Sequence, residues 1–261
     1  MHLKSAIRLL VAFGIIGSFL FPRLALAQLT PFNESGVTMG HVHLVVRDLE
    51  VHKKLWVDLF GAQVAYAGKI EMLKVPGMIV LLIKGQPSDE GAPTVDHFAF
   101  LVQDLGAFRK KLAAANIQMP EGSSIATFPD GVKIELIERN NLAVPVAFSH
   151  FHIYTADIEA IRAWYVKTFG GIKFPDAPNF PGGEMRFTAQ ANPPTVPTKG
   201  HPIDHISFEV KDLREFCKKL EAQGTKLDMQ IREAPEIGLR VTFVTDPIGT
   251  RIELTEGFAG K

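Results

Sequence analysis

HVHLVVRDLE (residues 41–50), HFAFLVQDLG (97–106), HFHIYTADIE (150–159) and HISFEVKDLR (205–214) are one phrase written four times, at spacings of 56, 53 and 55 residues. Each is a short apolar strand opening on a His and closing on an Asp placed to cap a following helix: Asp48, Asp104, Asp157 and Asp212. The helices that follow read EVHKKLWVDLFG (50–61), GAFRKKLAAANI (106–117), EAIRAWYVKTFGG (159–171) and REFCKKLEAQGT (214–225). All place apolar residues at three- and four-residue intervals and end near a Gly or Asn. Strand-like segments fill the rest of each copy, so the repeat predicts an α+β fold of four β-α-β-β-β modules.

The copies alternate. The first and third share an aromatic helix ending Phe60-Gly61 and Phe169-Gly170; the second and fourth share Lys-Lys-Leu and the endings PDGVKIELIE (129–138) and DPIGTRIELTE (246–256). The order A-B-A-B predicts a duplicated two-module domain, residues 41–138 and 149–257, with a linker at 28–40 and a joint at Arg139–Pro145. The simplest partnership sets the first module with the second and the third with the fourth. Cross-pairing is the alternative.

Ahead of the linker, residues 1–27 read as a secretory signal peptide. His2, Lys4 and Arg8 precede an apolar run, Leu9–Phe21, and Ala25-Leu26-Ala27 offers a cleavage point before Gln28. The run is about 13 residues, short of the roughly 20 that span a bilayer. A periplasmic or secreted chain, with no membrane segment after cleavage, is the expectation. Loss of the leader leaves 25 basic residues against 28 acidic ones, which argues against a nucleic-acid partner. The single Cys217 precludes an intramolecular disulfide and falls on an apolar helix face, where it reads as a small buried group. At 46% hydrophobic and 21% charged, the composition is globular.

Alternate residues of a strand share a face, which lines up His41 with His43, His97 with Ala99, His150 with His152 and Tyr154, and His205 with Ser207. Glu135 and Glu253 sit between aliphatic residues on the closing strands, where an unpaired carboxylate is costly and a cation relieves it. Two imidazoles and a carboxylate with positions left open suit Fe2+, Mn2+, Zn2+ or Ni2+. A Lys or Arg partner for each Glu is the plainer explanation.

On these phrases and closing strands the mature chain resembles the vicinal oxygen chelate superfamily, which includes glyoxalase I, fosfomycin and bleomycin resistance proteins and extradiol dioxygenases. The resemblance implies paired modules curled into a cup around a divalent metal. It implies one ligand triad of His41, His97 and Glu135 and a second of His150, His205 and Glu253. It also implies a small-molecule substrate with adjacent oxygens and a dioxygenase or a lyase and isomerase; a homo-oligomer is left open by the sequence. A metal-free binding protein of the bleomycin-resistance kind and a purely structural metal site are the competing classes.

Glyoxalase sites carry a fourth ligand, a Glu, where alignment of VPGMIVLLIKG (75–85) with FPGGEMRFTAQ (180–190) sets Leu81 and Arg186. Phe243 stands where the extradiol pattern has a Tyr. The second half is the better furnished and the one expected to turn over, with His152 as general base, Tyr154 as proton donor and Arg186 as oxyanion clamp beside His150, His205 and Glu253. The first half offers His43 among Val45, Leu81, Ala99 and Leu101. His201, Glu184 and Glu209 are expected in loops or at the rim.

Overall fold

A computed structural model describes residues 29–173, 177–190 and 196–259 of the chain. Residues 1–27, where a signal peptide is expected, lie outside the described residues, and among those described no helix is long and apolar enough to cross a membrane.

The four modules fold as the repeat predicts. The first is β1 (Val37–Val46), α1 (Leu49–Phe60), β2 (Gln63–Ala67), β3 (Ile70–Val75) and β4 (Met78–Lys84). The second is β5 (Val95–Val102), α2 (Leu105–Ala114), β6 (Ile125–Thr127) and β7 (Lys133–Glu138). The third is β8 (Val146–Thr155), α3 (Ile158–Phe169), β9 (Ile172–Lys173), β10 (Pro178–Phe180) and β11 (Gly183–Ala189). The fourth is β12 (Ile203–Val210), α4 (Leu213–Ala222), β13 (Arg232–Ala234), β14 (Leu239–Thr245) and β15 (Arg251–Glu256).

All four predicted Asp caps accept backbone N–H bonds from the first turn of their helices. Two details differ from expectation. β1 begins at Val37 and β8 at Val146, so both first strands start a few residues before the predicted domain edges. The second module has one strand fewer, because Pro120 withholds a donor and Gly122 turns the chain at φ +75°; only a bridge from Gln118 to Thr127 remains there.

The partnership of modules is a correction. One eight-stranded sheet runs β13-β14-β15-β12-β1-β4-β3-β2 and joins the fourth module to the first; a seven-stranded sheet runs β6-β7-β5-β8-β11-β10-β9 and joins the second to the third. The seams are the antiparallel pairs β1 with β12 and β5 with β8. Residues 139–145 carry the chain from β7 over the end of β5, about two strand spacings or roughly 10 Å, and lay β8 beside β5. Arg139 N–H donates to Val102 O and Gln103 N–H to Pro145 O, pinning that crossing.

Helices keep the other grouping. Trp56 and Phe60 of α1 pack on Phe98 and Phe100 of β5, and Phe169 of α3 stacks on Phe208 of β12 at 4.1 Å. Modules adjacent in sequence are thus back to back through one continuous apolar core, while their strands join the other half.

Candidate metal centres

Each repeated His follows an irregularity in its strand. In β5 the pairing with β8 steps from Val95–Ile153 to His97–His152, so Asp96 is an extra residue; in β12 the step from Leu44–Ile203 to His43–His205 leaves Asp204 extra. These β-bulges turn an Asp that alternation alone would aim away from the site back toward the His beside it. Asp96 Oδ2 accepts from His97 Nδ1 at 2.8 Å, and Asp204 Oδ1 accepts from His205 Nδ1. Each Asp is held in turn by a cation two residues ahead of the closing Glu: Lys133 Nζ donates to Asp96 at 2.8 Å and an Arg251 N–H to Asp204 at 3.0 Å.

The second pair of irregularities lies on β8 and β1, at Ser149 and around Gly40, just before His150 and His41. They free backbone donors for the Pro-Gly turns of the opposite sheet: Phe148 N–H donates to Pro76 O and Met39 N–H to Pro181 O. A Cβ on Gly40 would lie 2.5 Å from Ser207 Oγ, so the strand approaches closely only because Gly is there.

Cross-pairing regroups the predicted ligands. His41, His205 and Glu253 meet in the eight-stranded sheet, joined by His43; His97, Glu135 and His150 meet in the seven-stranded sheet, joined by His152. The triads implied by the simple pairing, His41 with His97 and Glu135 and His150 with His205 and Glu253, are not formed, because first and second modules share no sheet. The donor atoms of each group of four lie within 4.8 Å of one another.

In the first centre His41 Nε2 and His205 Nε2 are each 2.8 Å from the same oxygen, Glu253 Oε2. In the second, Glu135 Oε2 is 3.2 Å from His150 Nε2 and 3.6 Å from His97 Nε2, and both nitrogens are buried without a hydrogen-bond partner. Such orphaned, converging donors fit a divalent cation. His97 and His205 each face a carboxylate at both nitrogens, a placement that suits an imidazolium or a metal-bound imidazole, and an Nδ1–H donated to the Asp would leave Nε2 open to a cation.

The charges agree. Burial works against the cationic forms of His97 and His205, yet Asp96 with Glu135 and Asp204 with Glu253 outweigh it and raise both above the ordinary value. The neighbouring imidazoles of His150 and His97 hold Glu135 well below the ordinary carboxylate range; burial opposes the charge of Glu253, but His41 and His205 outweigh it and lower that group too. Burial, then the neighbouring imidazoles, lowers His152 to about 4 and His43 well below its usual value, so both rings are neutral.

The two surroundings differ. Phe258 lies over His41 at 5.3 Å, Phe243 meets His205 at 5.1 Å, and Leu81 is buried in register with His43. Around the second centre Arg186 takes the place of Leu81, in register with His152, and Glu135 is 20% exposed against 10% for Glu253. Arg186 pairs with Glu184 at 3.0 Å and its charge helps lower His150, after burial. Tyr154 stands one step outward, its ring 5.7 Å from His152.

Of the weaker candidates, Glu184 is at the rim and His201 is buried in the turn before β12. Glu209, expected in a loop or at the rim, is instead buried within β12. It accepts from Thr255 Oγ1 and from the N–H groups of Gly257 and Ala259, holding the tail that carries Phe258. Sequence reasoning passed over Asp96, Asp204, Lys133 and Arg251; the repeated Asp-His pairs at 96–97 and 204–205 were their signal. Cys217 is buried as expected, and burial pushes its thiol up to about 11.

Comparison with known proteins agrees with the fold. Glyoxalase I from Zea mays is 18% identical with a TM-score of 0.62, the match covering 85% of this chain and 93% of that one. A candidate dioxygenase from Bacillus subtilis is 12% identical with a TM-score of 0.59, covering 90% and 88%. At these identities the likeness is one of fold. No curated protein matches the sequence significantly. The family model for Glyoxalase/Bleomycin resistance protein/Dioxygenase matches twice, over residues 38–136 and 147–254. Matched over most of its length in two tandem stretches, the chain belongs to the Glyoxalase/Bleomycin resistance protein/Dioxygenase superfamily.

Proposed function

We propose that the chain is a divalent-metal-dependent enzyme acting on a small molecule with adjacent oxygens, with the centre at His97, Glu135 and His150 as its working site. The observation that carries this reading is the pair of buried, unpartnered Nε2 atoms converging on Glu135 in the more accessible of the two cups. When bound, the cation supplies Lewis-acid stabilisation of a substrate oxyanion or enolate. The chain's own residues do the rest. Lys133 and Asp96 fix the ring of His97, Ser149 Oγ lies 3.1 Å from His150 Nδ1, and Ser124 Oγ donates to Glu135 at 3.0 Å. Arg186 presents a cation at the mouth, suited to clamp a substrate oxygen that gains charge. Burial raises the Tyr154 phenol, which therefore stays protonated at neutral pH and serves as a donor.

Both chemistries implied by the resemblance, oxygen-dependent ring cleavage and glyoxalase-type proton transfer, start from such a chelate. Metal analysis of the dialysed protein tests the reading. Two ions per chain are expected, with His97→Ala losing one ion and turnover and His205→Ala losing the other. Retention of no metal by the wild type would return the chain to the metal-free binding class. Oxygen uptake with catechols on Fe2+ loading then separates dioxygenase from lyase or isomerase. The reading includes export, supported by the leader pattern in residues 1–27, for which N-terminal sequencing of the mature protein should begin at Gln28.

A further inference from the structure

The first and third phrases carry a second His two residues after the ligand position, His43 and His152, where the second and fourth phrases have Ala99 and Ser207. Each sheet joins one module of each type, so each cup receives one such additional ring. His43 Nδ1 is buried, has no hydrogen-bond partner and lies 3.7 Å from Glu253 Oε2. Its ring is 4.3 Å from that of His205 and 5.0 Å from that of His41. His152 occupies the matching place, 4.6 Å from His97 and 5.8 Å from His150. Its Nε2 is engaged by Thr188 Oγ1 at 2.6 Å, and with Nε2–H donating there, Nδ1 keeps the free lone pair.

The neighbouring strand explains the arrangement. Leu81 and Arg186, at the position where glyoxalase-type sites place a fourth ligand, pair in register with His43 and His152. A donor missing from β4 and β11 is present one strand over, on β1 and β8. Metal–nitrogen bonds of about 2.0–2.1 Å put donors across an ion about 4 Å apart. The four atoms of each group lie within 4.8 Å of one another, which is compatible with that spacing.

We propose that His43 and His152 are the fourth protein ligands, making each centre a set of three imidazoles and one carboxylate. A six-coordinate ion so held keeps two positions, the number that two adjacent substrate oxygens occupy. His152 is then a ligand and not the general base. This inference rests on the cation reading above.

The test is a Co2+ titration of the metal-free full chain against a competing chelator, followed by visible absorption. Wild type is expected to bind two ions. His43→Ala and His152→Ala should each keep one ion at wild-type affinity and weaken the other by at least about tenfold, given that even outer partners of a ligand are worth 10–100-fold. The spectrum of the weakened centre should change and be restored by added imidazole, and the untouched centre reports that the chain is folded. Should His43→Ala lose both ions, His43→Gln, which keeps bulk and polarity, takes its place in the same comparison. Two ions at unchanged affinity and spectrum in both variants would overturn the four-ligand assignment and leave the three-donor site standing. No binding by wild type would instead sink the metal reading itself.

Discussion

At the scale of single residues, each centre is a relay of paired charges. Lys133 holds Asp96, Asp96 holds His97, and His97 faces Glu135; Arg251, Asp204, His205 and Glu253 repeat the order. Replacing Asp96 or Asp204 by Asn keeps the shape and removes the acceptor charge that fixes the ring. Cation affinity at the corresponding centre should fall about 10–100-fold in a chelator competition. The same carboxylates set a pH limit on the metal-free protein. Burial opposes their charge, but the His bond together with Lys133 or Arg251 outweighs it and holds each at about 2, below the ordinary 3.8. The folded state thus binds these protons less readily than the unfolded one. Their contribution is present above about pH 4 and is lost as pH falls toward 2. Urea midpoints of the chelated protein should decline across that window, and more shallowly in the doubly substituted Asp96→Asn, Asp204→Asn chain; an equal decline would contradict the relay. The His and Glu residues were legible in the sequence because repetition marked them. The two Asp were not, since strict alternation sets residues 96 and 97 on opposite faces, and only a bulge brings both to the site.

At the scale of elements, the irregular strands carry the chemistry and the regular helices carry the frame. Caps were readable because an Asp at the end of a strand accepts from the next helix whatever the surroundings. Asp212→Ala should cost about 1 kcal/mol in denaturant unfolding through loss of its bond from Glu215 N–H, with cation binding unaffected. Gly40→Ala is different in kind. The new methyl meets Ser207 Oγ at 2.5 Å and Glu209 N at 3.2 Å in a strand that cannot retreat, because Met39 N–H is tied to Pro181 O. Overpacking of this sort costs about 1–3 kcal/mol, and the displacement passes to the adjacent His41. Lower stability together with weaker cation binding at the first centre alone is expected, and Ser207→Gly, by opening the space, should restore part of both. The loss of one strand from the second module was not legible: Pro120 and Gly122 mark a turn, but the pattern of the other modules argued for a full strand.

At the scale of the whole molecule, the repeat specified four modules and left their partners open, because the donor positions suit either arrangement. The arrangement is held by the pinned crossing of residues 139–145 over the end of β5 and by the packing of α1 on β5, which turns the two modules of one half back to back and faces β1 and β5 outward. A half-chain ending in that loop therefore presents two long unpaired strand edges, β1 and β5, with His41, His43, His97 and Glu135 divided between two incomplete cups. No single half can bring those groups together. Two copies can, each lending its first module to the other's second, which would assemble His41, His97 and Glu135 across the pair. Residues 29–145 expressed alone should consequently be a dimer by light scattering, binding two cations that His97→Ala abolishes. Mixed with residues 146–259 under refolding conditions, it should form a one-to-one complex with both native centres. A monomeric half that binds a cation would show that modules adjacent in sequence complete a site by themselves, and would contradict the crossed pairing of the two sheets.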